Sequence, residues 1–257
     1  MDRATPRMSI SARLHRLLSE ATLEGVSLTS PAMRTSEWKR GQLLHRAGDA
    51  VAELHFVTEG LVAILGRARG GAAEAGLVGP GGVVGYQAMF GAAETRADAV
   101  ALTSVIAMSA PRNAVLQGLQ RSATLRRELF DYAAQRIAET EQLCVCASLH
   151  SIEQRLARWL LQAAALLGPR PVEMTHQQFA SIFGVRRASV TTSLHLLEGE
   201  MAIRCLRGRI EIRDLPRLEA LSCGCEAAQL SAAAGARRPQ PPQTACSSAS
   251  STDSPRD

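Results

Sequence analysis

The pattern of hydrophobic and polar positions changes along this 257-residue chain, and the changes predict separate segments. In residues 1–34, leucines recur at helical spacing, which predicts a short helix. Between residues 35 and 110, hydrophobic runs such as ELHFVT and LVAILG alternate with glycine-containing turns. This alternation predicts an antiparallel β-roll, or jelly roll. Residues 223–257 lose all periodicity and are rich in Ala, Pro, Ser and Gln, so we expect a disordered tail.

Residues 111–149 contain few helix breakers and predict one long amphipathic helix. A narrow hydrophobic stripe on a long helix is typical of a dimer seam, so we expect this helix to pair with a second copy of the chain. The alternative is that the stripe packs on the chain's own β-roll. The stripe consists of residues at three- and four-residue steps: Leu125, Leu129, Tyr132, Ala133, Ile137, Thr140 and Cys144.

Residues 150–222 predict a helix, then two shorter helices and a hairpin. Thr175 and Gln178 have the spacing of a capping box, and Gly184 suits the tight turn at the end of that helix. This order is typical of a winged helix-turn-helix, whose second helix reads the major groove of duplex DNA. An ordinary helix pair followed by a hairpin is the alternative. The buried stripe of the second helix is predicted to be Val190, Leu194 and Leu197.

The other faces of this second helix carry side-chain types that bind DNA. Arginine matches guanine bidentately, while hydroxyl and imidazole groups can reach phosphates or base edges. After the helix, the runs IRCL and RIEIR flank a turn that would bring Arg207 toward a phosphate. The residues that this pattern singles out are Arg187, Thr191, Thr192, His195 and Arg207.

The charge of the chain is compatible with a DNA partner. The net charge is +5, and Lys39 is the one lysine among 29 basic residues. Between Arg170 and Arg217, arginines exceed acidic residues by three. A high arginine content suits phosphate and guanine contacts, but a GC-rich genome would produce it equally well.

Several classes of protein are not expected. The first residues lack a continuous hydrophobic core of a signal peptide, and no stretch is long and uncharged enough to span a bilayer, so we expect a cytoplasmic protein. The motifs G-x-S-x-G, H-E-x-x-H and the P-loop are absent from the sequence, which argues against an enzyme.

No metal site is expected from the six cysteines, most of which should be free thiols. On a helix, Cys144 and Cys146 would point about 200° apart, one toward the core and one toward solvent. Cys223 and Cys225 provide only two ligands, which do not close a tetrahedral site. A redox or metal role for the latter pair is the alternative.

The order of β-roll, long helix and winged helix-turn-helix resembles the Crp/Fnr superfamily of bacterial transcription regulators. The segments that carry the resemblance are LLHRAGDAVAELHFVTEGLVAIL, GGVVGYQAMFGAAETRADAVAL, QRLARWLL and THQQFASIFGVRRASVTTSLHLLE. The resemblance, from about Leu43 to Leu221, implies an α+β protein with a cyclic-nucleotide-binding-like β-roll. It also implies a homodimer that binds a near-palindromic operator and adjusts the recruitment of RNA polymerase.

The resemblance assigns roles to residues of the reading helix. Arg187 stands at the position of a guanine-reading arginine. Ala188 and Thr192 replace a glutamate and a second arginine of the cyclic-AMP-responsive members, so the operator of those members is not expected here. Contacts with the DNA backbone are implied for Gln178, Arg186, Ser189 and Thr191.

The resemblance also implies an effector pocket in the β-roll. A cyclic nucleotide needs a cation for its phosphate, a hydroxyl beside it and a carboxylate for its ribose. Arg96 could be the cation, but Tyr86 and Ala97 replace the carboxylate and the hydroxyl, and an unpaired buried hydroxyl costs about 1–3 kcal/mol. We therefore expect no control by cyclic AMP; a structural ion pair of Arg96 with Glu94 or Asp98 is the alternative. The expected pocket residues are Gly85, Tyr86, Arg96 and Ala97.

No other cofactor is expected. The iron–sulfur cluster of the superfamily would need closely spaced cysteines near the N-terminus, where the chain has none. His45, His55 and His150 are isolated in the sequence and do not suggest haem ligation. The leading hypothesis is a constitutive, homodimeric transcription regulator. The alternative is an effector- or redox-gated sensor whose β-roll binds an unidentified small molecule and makes DNA binding conditional.

Overall fold

The computed structural model of the chain describes residues 33–168 and 170–225. Within these ranges it contains ten β-strands, six α-helices and one short 3-10 helix. The helix predicted around Leu14 and Leu23 lies outside the described residues, as does all of the predicted tail after Cys225.

The predicted antiparallel β-roll is confirmed. Two four-stranded sheets have the orders β1-β8-β3-β6 and β2-β7-β4-β5. Valines and alanines from both sheets form one buried cluster between them. The strands are β1 (Arg34–Trp38), β2 (Leu43–His45), β3 (Glu53–Glu59), β4 (Val62–Ala68), β5 (Gly71–Val78), β6 (Val83–Val84), β7 (Ala97–Ala101) and β8 (Val105–Pro111).

The turn between β3 and β4 requires glycine. Gly60 has φ +88°, and a Cβ atom there would overlap the carbonyl oxygen of Ser104. A larger residue would have to adopt a left-handed conformation and displace the neighbouring backbone at the same time. Gly60 therefore fixes how closely this turn approaches the segment that precedes β8.

Residues 112–149 form two helices, and Pro111 belongs to β8, so the prediction of a single long helix over residues 111–149 is wrong. Helix α1 (Arg112–Arg121) ends at Ser122, and helix α2 (Ala123–Leu149) begins directly after it. The Ser122 backbone is extended, and its hydroxyl oxygen accepts a hydrogen bond from the backbone N–H of Leu125, 3.2 Å away. A serine N-cap of this kind stabilises a helix start by about 1 kcal/mol. This stabilisation offsets part of the cost of ending α1 and starting a new helix at Ser122.

The two halves of α2 have different surroundings. The first half packs on the β-roll, where Leu129 and Tyr132 are buried and the Tyr132 hydroxyl accepts a hydrogen bond from the Val83 N–H at 2.9 Å. In the second half Ile137 and Cys144 are exposed. The predicted stripe thus divides: its first residues contact the chain's own roll, as does Thr140, whose hydroxyl donates to the Ala75 carbonyl oxygen, whereas Ile137 and Cys144 are exposed at the edge of the roll.

The C-terminal part folds around the helix that precedes the helix-turn-helix. The indole of Trp159 is fully buried and meets the ring of Phe179 edge-on, with ring centroids 5.2 Å apart. Leu156, Leu160 and Ala163 of the same helix are buried in the same cluster. The elements are α3 (Ile152–Leu167), α4 (His176–Phe183), α5 (Arg187–Gly199), β9 (Ile203–Leu206), β10 (Arg209–Ile212) and α6 (Leu215–Leu221).

Candidate DNA-binding surface and effector pocket

The helix-turn-helix has the local structure that its sequence predicts. Thr175 and Gln178 form a complete capping box at the start of α4. Gly184 ends α4 with φ 64° and ψ 34°, the left-handed conformation that glycine adopts at little cost. The predicted stripe of α5 is buried, with Val190 and Leu194 both at 0% exposure. The opposite face of α5 is consequently free to meet a partner.

Most of the predicted DNA-binding residues lie on that exposed face. Thr191 differs, because it is half-buried and its hydroxyl donates to the Arg187 carbonyl oxygen at 3.1 Å. The same hydroxyl lies 2.9 Å from Nδ1 of His176. The contact with His176 joins α4 to α5, and both bonds compete with the predicted phosphate contact of Thr191. The residues that are exposed are Arg186, Arg187, Ala188, Ser189, Thr192 and His195 on or beside α5, and Arg207 in the β9–β10 turn.

The arginines of this surface carry uncompensated charge. Among the described residues, Arg186, Arg187 and Arg207 have no carboxylate within 4.0 Å, whereas Arg217 pairs with Glu200 at 2.7 Å. An unpaired arginine at the N-terminus of a helix suits an anionic partner, because the helix dipole adds to its field. The surface has the electrostatic character that binding to phosphates requires.

Gln178 already has two partners in the chain. Its side-chain carbonyl oxygen accepts from the Thr175 N–H at 2.9 Å and from Nη2 of Arg40 at 2.9 Å. Arg40 lies between β1 and β2, so this bond joins α4 to the β-roll. The Gln178 carbonyl oxygen thus supports the helix cap and a contact between domains.

A cavity of about 350 Å³ lies between the β-roll and α2. Three predicted pocket residues, Gly85, Tyr86 and Ala97, line it. Arg96 does not line it and is exposed, so its assignment to the pocket is wrong. Neighbouring residues of an extended chain point to opposite faces, and Ala97 takes the inward position.

The alternative for Arg96 is wrong as well. Asp98 accepts a hydrogen bond from Nε of Arg67 at 2.7 Å and another from the Ala47 N–H at 2.9 Å. Within the described part of the chain, Arg96 forms no ion pair with Glu94 or any other carboxylate.

The cation of the cavity is Arg136 of α2, which the sequence analysis did not single out. Its guanidinium is buried, donates to the Leu77 carbonyl oxygen at 2.8 Å and forms an ion pair with Glu139. A Cβ atom at Gly76 would overlap this guanidinium. The sequence signal that could identify Arg136 is its position one turn after Tyr132, on the buried side of the helix. Thr140 and Glu141 of α2 also line the cavity.

His55, one of the isolated histidines, has a hydrogen-bond partner inside the roll. It is buried, and Nδ1 lies 2.7 Å from the Ser109 hydroxyl oxygen. Burial is the main cause that lowers its pKa to about 3, so the ring is neutral at physiological pH. His45 packs on the same ring with centroids 4.9 Å apart. Both side chains are structural parts of the roll.

Metal-binding side chains gather at one other place. The structure brings Cys146 and His150 of α2 and its C-cap next to Cys223 and Cys225. These two pairs are more than 70 positions apart in the sequence. Cys144 is exposed and Cys146 is buried, as the helical spacing predicts.

A β-roll that forms a cavity with α2, joined through α2 and α3 to a winged helix-turn-helix with unpaired arginines, defines the class of DNA-binding regulators. Residues 35–122 match the cyclic nucleotide-binding domain family, and residues 154–221 match the Crp-like helix-turn-helix domain family. The chain belongs to the Crp/Fnr family of transcription regulators. Among the described residues, no helix has the length and hydropathy needed to cross a membrane.

Relatives agree with this assignment. A cyclic AMP receptor protein of Thermus thermophilus is 26% identical over 203 residues, which cover 78% of this chain and 94% of the relative. A solved Crp/Fnr transcriptional regulator of the same organism is 27% identical with a TM-score of 0.61, covering 74% of this chain and 98% of its own. FixK2 of Bradyrhizobium japonicum, 15% identical, shares the fold with a TM-score of 0.65 over 74% of this chain and 98% of its own. The chain is accordingly a DNA-binding transcription regulator and not an enzyme.

Proposed function

We propose that this regulator is a homodimer that binds near-palindromic operator DNA in the bacterial cytoplasm and adjusts the recruitment of RNA polymerase. The observation that carries the proposal is an exposed hydrophobic row along α2. Phe130 and Ile137 are seven residues apart and 45% and 55% exposed, and Val145 is 45% exposed. A seven-residue spacing returns to the same face of a helix, so two copies of α2 can pair along this row.

In the proposed dimer, the DNA-binding surface is present twice. A two-fold axis along α2 would present two copies of α5, each with Arg186 and Arg187 at its N-terminus. Two reading helices related by a two-fold axis match half-sites about one helical turn apart. Arg187 would read guanine, and Ser189 and Arg207 would contact the backbone on either side of it.

Cyclic AMP is not the proposed effector, although a relative in Thermus thermophilus is a cyclic AMP receptor protein. The cation in the cavity, Arg136, already bonds to the Leu77 carbonyl oxygen and to Glu139. A phosphate would have to displace Glu139, and neither Tyr86 nor Ala97 offers the carboxylate or hydroxyl that a cyclic nucleotide needs. DNA binding without added nucleotide is therefore the expectation.

A gated regulator is the second candidate, favoured by contacts between the helix-turn-helix and the β-roll. Nε1 of Trp159 donates to Glu74 at 3.3 Å, and Arg40 bonds to Gln178. These bonds hold α3 and α4 against the roll. In this candidate an unidentified ligand of the cavity would release them before α5 could enter the major groove.

In-vitro selection of duplex DNA by the purified chain, with and without cyclic AMP, separates the two candidates. The proposal expects a near-palindromic motif with the same affinity in both arms. Enrichment that depends on cyclic AMP would refute the absence of nucleotide control. No enrichment in either arm from a folded dimer would favour the gated candidate. The variant Arg187→Ala should lose the motif, whereas Arg170→Ala, away from α5, should keep it.

A further inference from the structure

Four ligand-type side chains meet where the end of α2 approaches the end of α6. Cys146 lies in the last turn of α2, and His150 is its C-cap, four residues later. A four-residue step places both on one side of a helix. Cys223 and Cys225 follow α6, and Gly224 between them has φ 67°. The three sulfur atoms and one ring nitrogen all lie within 4.8 Å of one another.

Two of the six separations are close to the edges of a single coordination tetrahedron, and the other four are at most 4.8 Å. Bonds of about 2.3 Å to sulfur and about 2.0 Å to nitrogen give sulfur–sulfur edges of about 3.8 Å and sulfur–nitrogen edges of about 3.5 Å. Sγ of Cys146 and Sγ of Cys223 are 3.9 Å apart, and Sγ of Cys225 is 3.3 Å from Nε2 of His150. Four ligands arranged in this way leave room for one ion and no open coordination position.

The conformation around the cluster supports this arrangement. The left-handed conformation of Gly224 turns the chain between the two cysteines, so that both sulfur atoms reach the same point. Nε2 of Gln142 lies 3.5 Å from the Cys146 sulfur and donates to it, and hydrogen bonds of this kind hold metal ligands in orientation. The guanidinium of Arg155 lies within electrostatic range of Cys146 and Cys223. Its positive charge would offset the net negative charge of three thiolates on a divalent ion.

We propose that Cys146, His150, Cys223 and Cys225 bind one zinc ion in a closed structural site. Thiolate and imidazole ligands in a tetrahedron are the donor set that zinc prefers. A four-iron cluster attaches each ligand to a different iron atom, which requires wider separations than these. No substrate could reach an ion with four protein ligands, so the role of this site is to join parts of the fold.

The site ties the winged helix-turn-helix to α2. His150 and Ser151 form the junction between α2 and α3, and α6 packs on α3. One ion bound by Cys146, His150, Cys223 and Cys225 would connect the end of α2 directly to the segment after α6. Zinc thereby limits how α3 can turn relative to α2, and zinc loss frees the hinge.

The test is metal analysis of the full-length chain, purified under reducing conditions with zinc and then dialysed. One zinc per chain is expected for the unaltered chain and for the controls Cys144→Ser and Cys205→Ser, whose thiols lie outside the cluster. The double variant Cys223→Ser/Cys225→Ser and the variant His150→Ala should hold at least about tenfold less zinc. Their helix content, measured by circular dichroism, should be unchanged, because the altered residues lie at the ends of elements.

A second measurement identifies the ligands. Cobalt added to the zinc-free chain should give the visible absorption of tetrahedral cobalt with thiolate ligands, and zinc should displace it. Three results would overturn the proposal. One is a metal-free chain with intact thiols after exposure to zinc. Another is a disulfide among the cluster cysteines in the freshly reduced and purified chain. The third is zinc loss by Cys144→Ser equal to that of the double variant. None of these measurements depends on DNA binding or on the dimer.

Discussion

The exposed row on α2 allows a quantitative test of dimerisation with the substitution Ile137→Asp. Ile137 is 55% exposed in the single chain. Full burial of a side chain of this kind stabilises by about 1.5–3 kcal/mol, so burying its exposed half would contribute about 1 kcal/mol. A two-fold interface contains each residue twice. Removing this contact therefore costs the dimer about 2 kcal/mol.

The new carboxylates add a second cost. Each would be desolvated in the seam and would lie near Glu141, one turn further along α2. A penalty of about 1 kcal/mol for each copy is a low value for a partly buried and unpaired charge. The total is about 4 kcal/mol, which corresponds to a dimer dissociation constant about 1,000-fold higher.

Sedimentation equilibrium over a range of protein concentrations measures this change directly. Leu215→Asp is the matched control, because Leu215 is 49% exposed on α6, away from the α2 row. The control should leave the dissociation constant within about threefold of the unaltered chain. If Ile137→Asp changes the constant as little as the control does, α2 is not the seam. Circular dichroism of both variants checks that the monomers remain folded.

Three further predictions concern the reading helix, a buried carboxyl group and a helix cap. Arg187→Ala should weaken binding to the selected operator by about 1–3 kcal/mol and leave random duplex DNA within about threefold; equal losses in gel-shift titrations would exclude base reading. Burial raises the pKa of Glu74 from 4.5 to about 7, so the folded chain binds the extra proton between these values. Its free energy of unfolding should therefore fall as pH rises from about 4.5 to about 7; urea titrations of Glu74→Gln should lack this slope, and an unchanged slope would assign it to another group. Thr175→Ala should destabilise the chain by about 1 kcal/mol in urea unfolding, while Ser181→Ala on the exposed side of α4 should change it little; equal effects would contradict the cap assignment.

The sequence predicts the helix-turn-helix well because its signals are local. A capping residue, its partner three positions later and a turn glycine act over a single turn, so Thr175, Gln178 and Gly184 identify α4 without knowledge of the rest of the fold. The break between α1 and α2 was also local in origin. The pattern does not show the break at Ser122, because the hydrophobic positions on both sides of it keep a helical spacing.

The contents of the cavity and the metal-binding cluster could not be predicted in this way. Arg136 enters the cavity only because α2 packs on β5, where Gly76 leaves room for its guanidinium. Likewise, 77 positions separate Cys146 from Cys223, so counting neighbouring cysteines found two ligands where folding assembles four. Contacts over such distances depend on how domains pack, and no local pattern encodes them.

One rigid element connects these features. Within the 27 residues of α2, Tyr132 anchors the roll, Arg136 enters the cavity, Ile137 lies on the exposed row and Cys146 reaches the cluster. Arg136 and Ile137 are adjacent, so a ligand that displaces Glu139 from Arg136 acts within one turn of the proposed seam. A continuous helix transmits such a displacement along its axis without dissipating it in a loop. The proposed zinc site determines whether this displacement reaches α3. With zinc bound, the junction between α2 and α3 moves together with α2. Without zinc, the junction can bend and α3 can stay in place. A regulator with zinc removed should therefore keep its seam and lose any coupling between the cavity and α5.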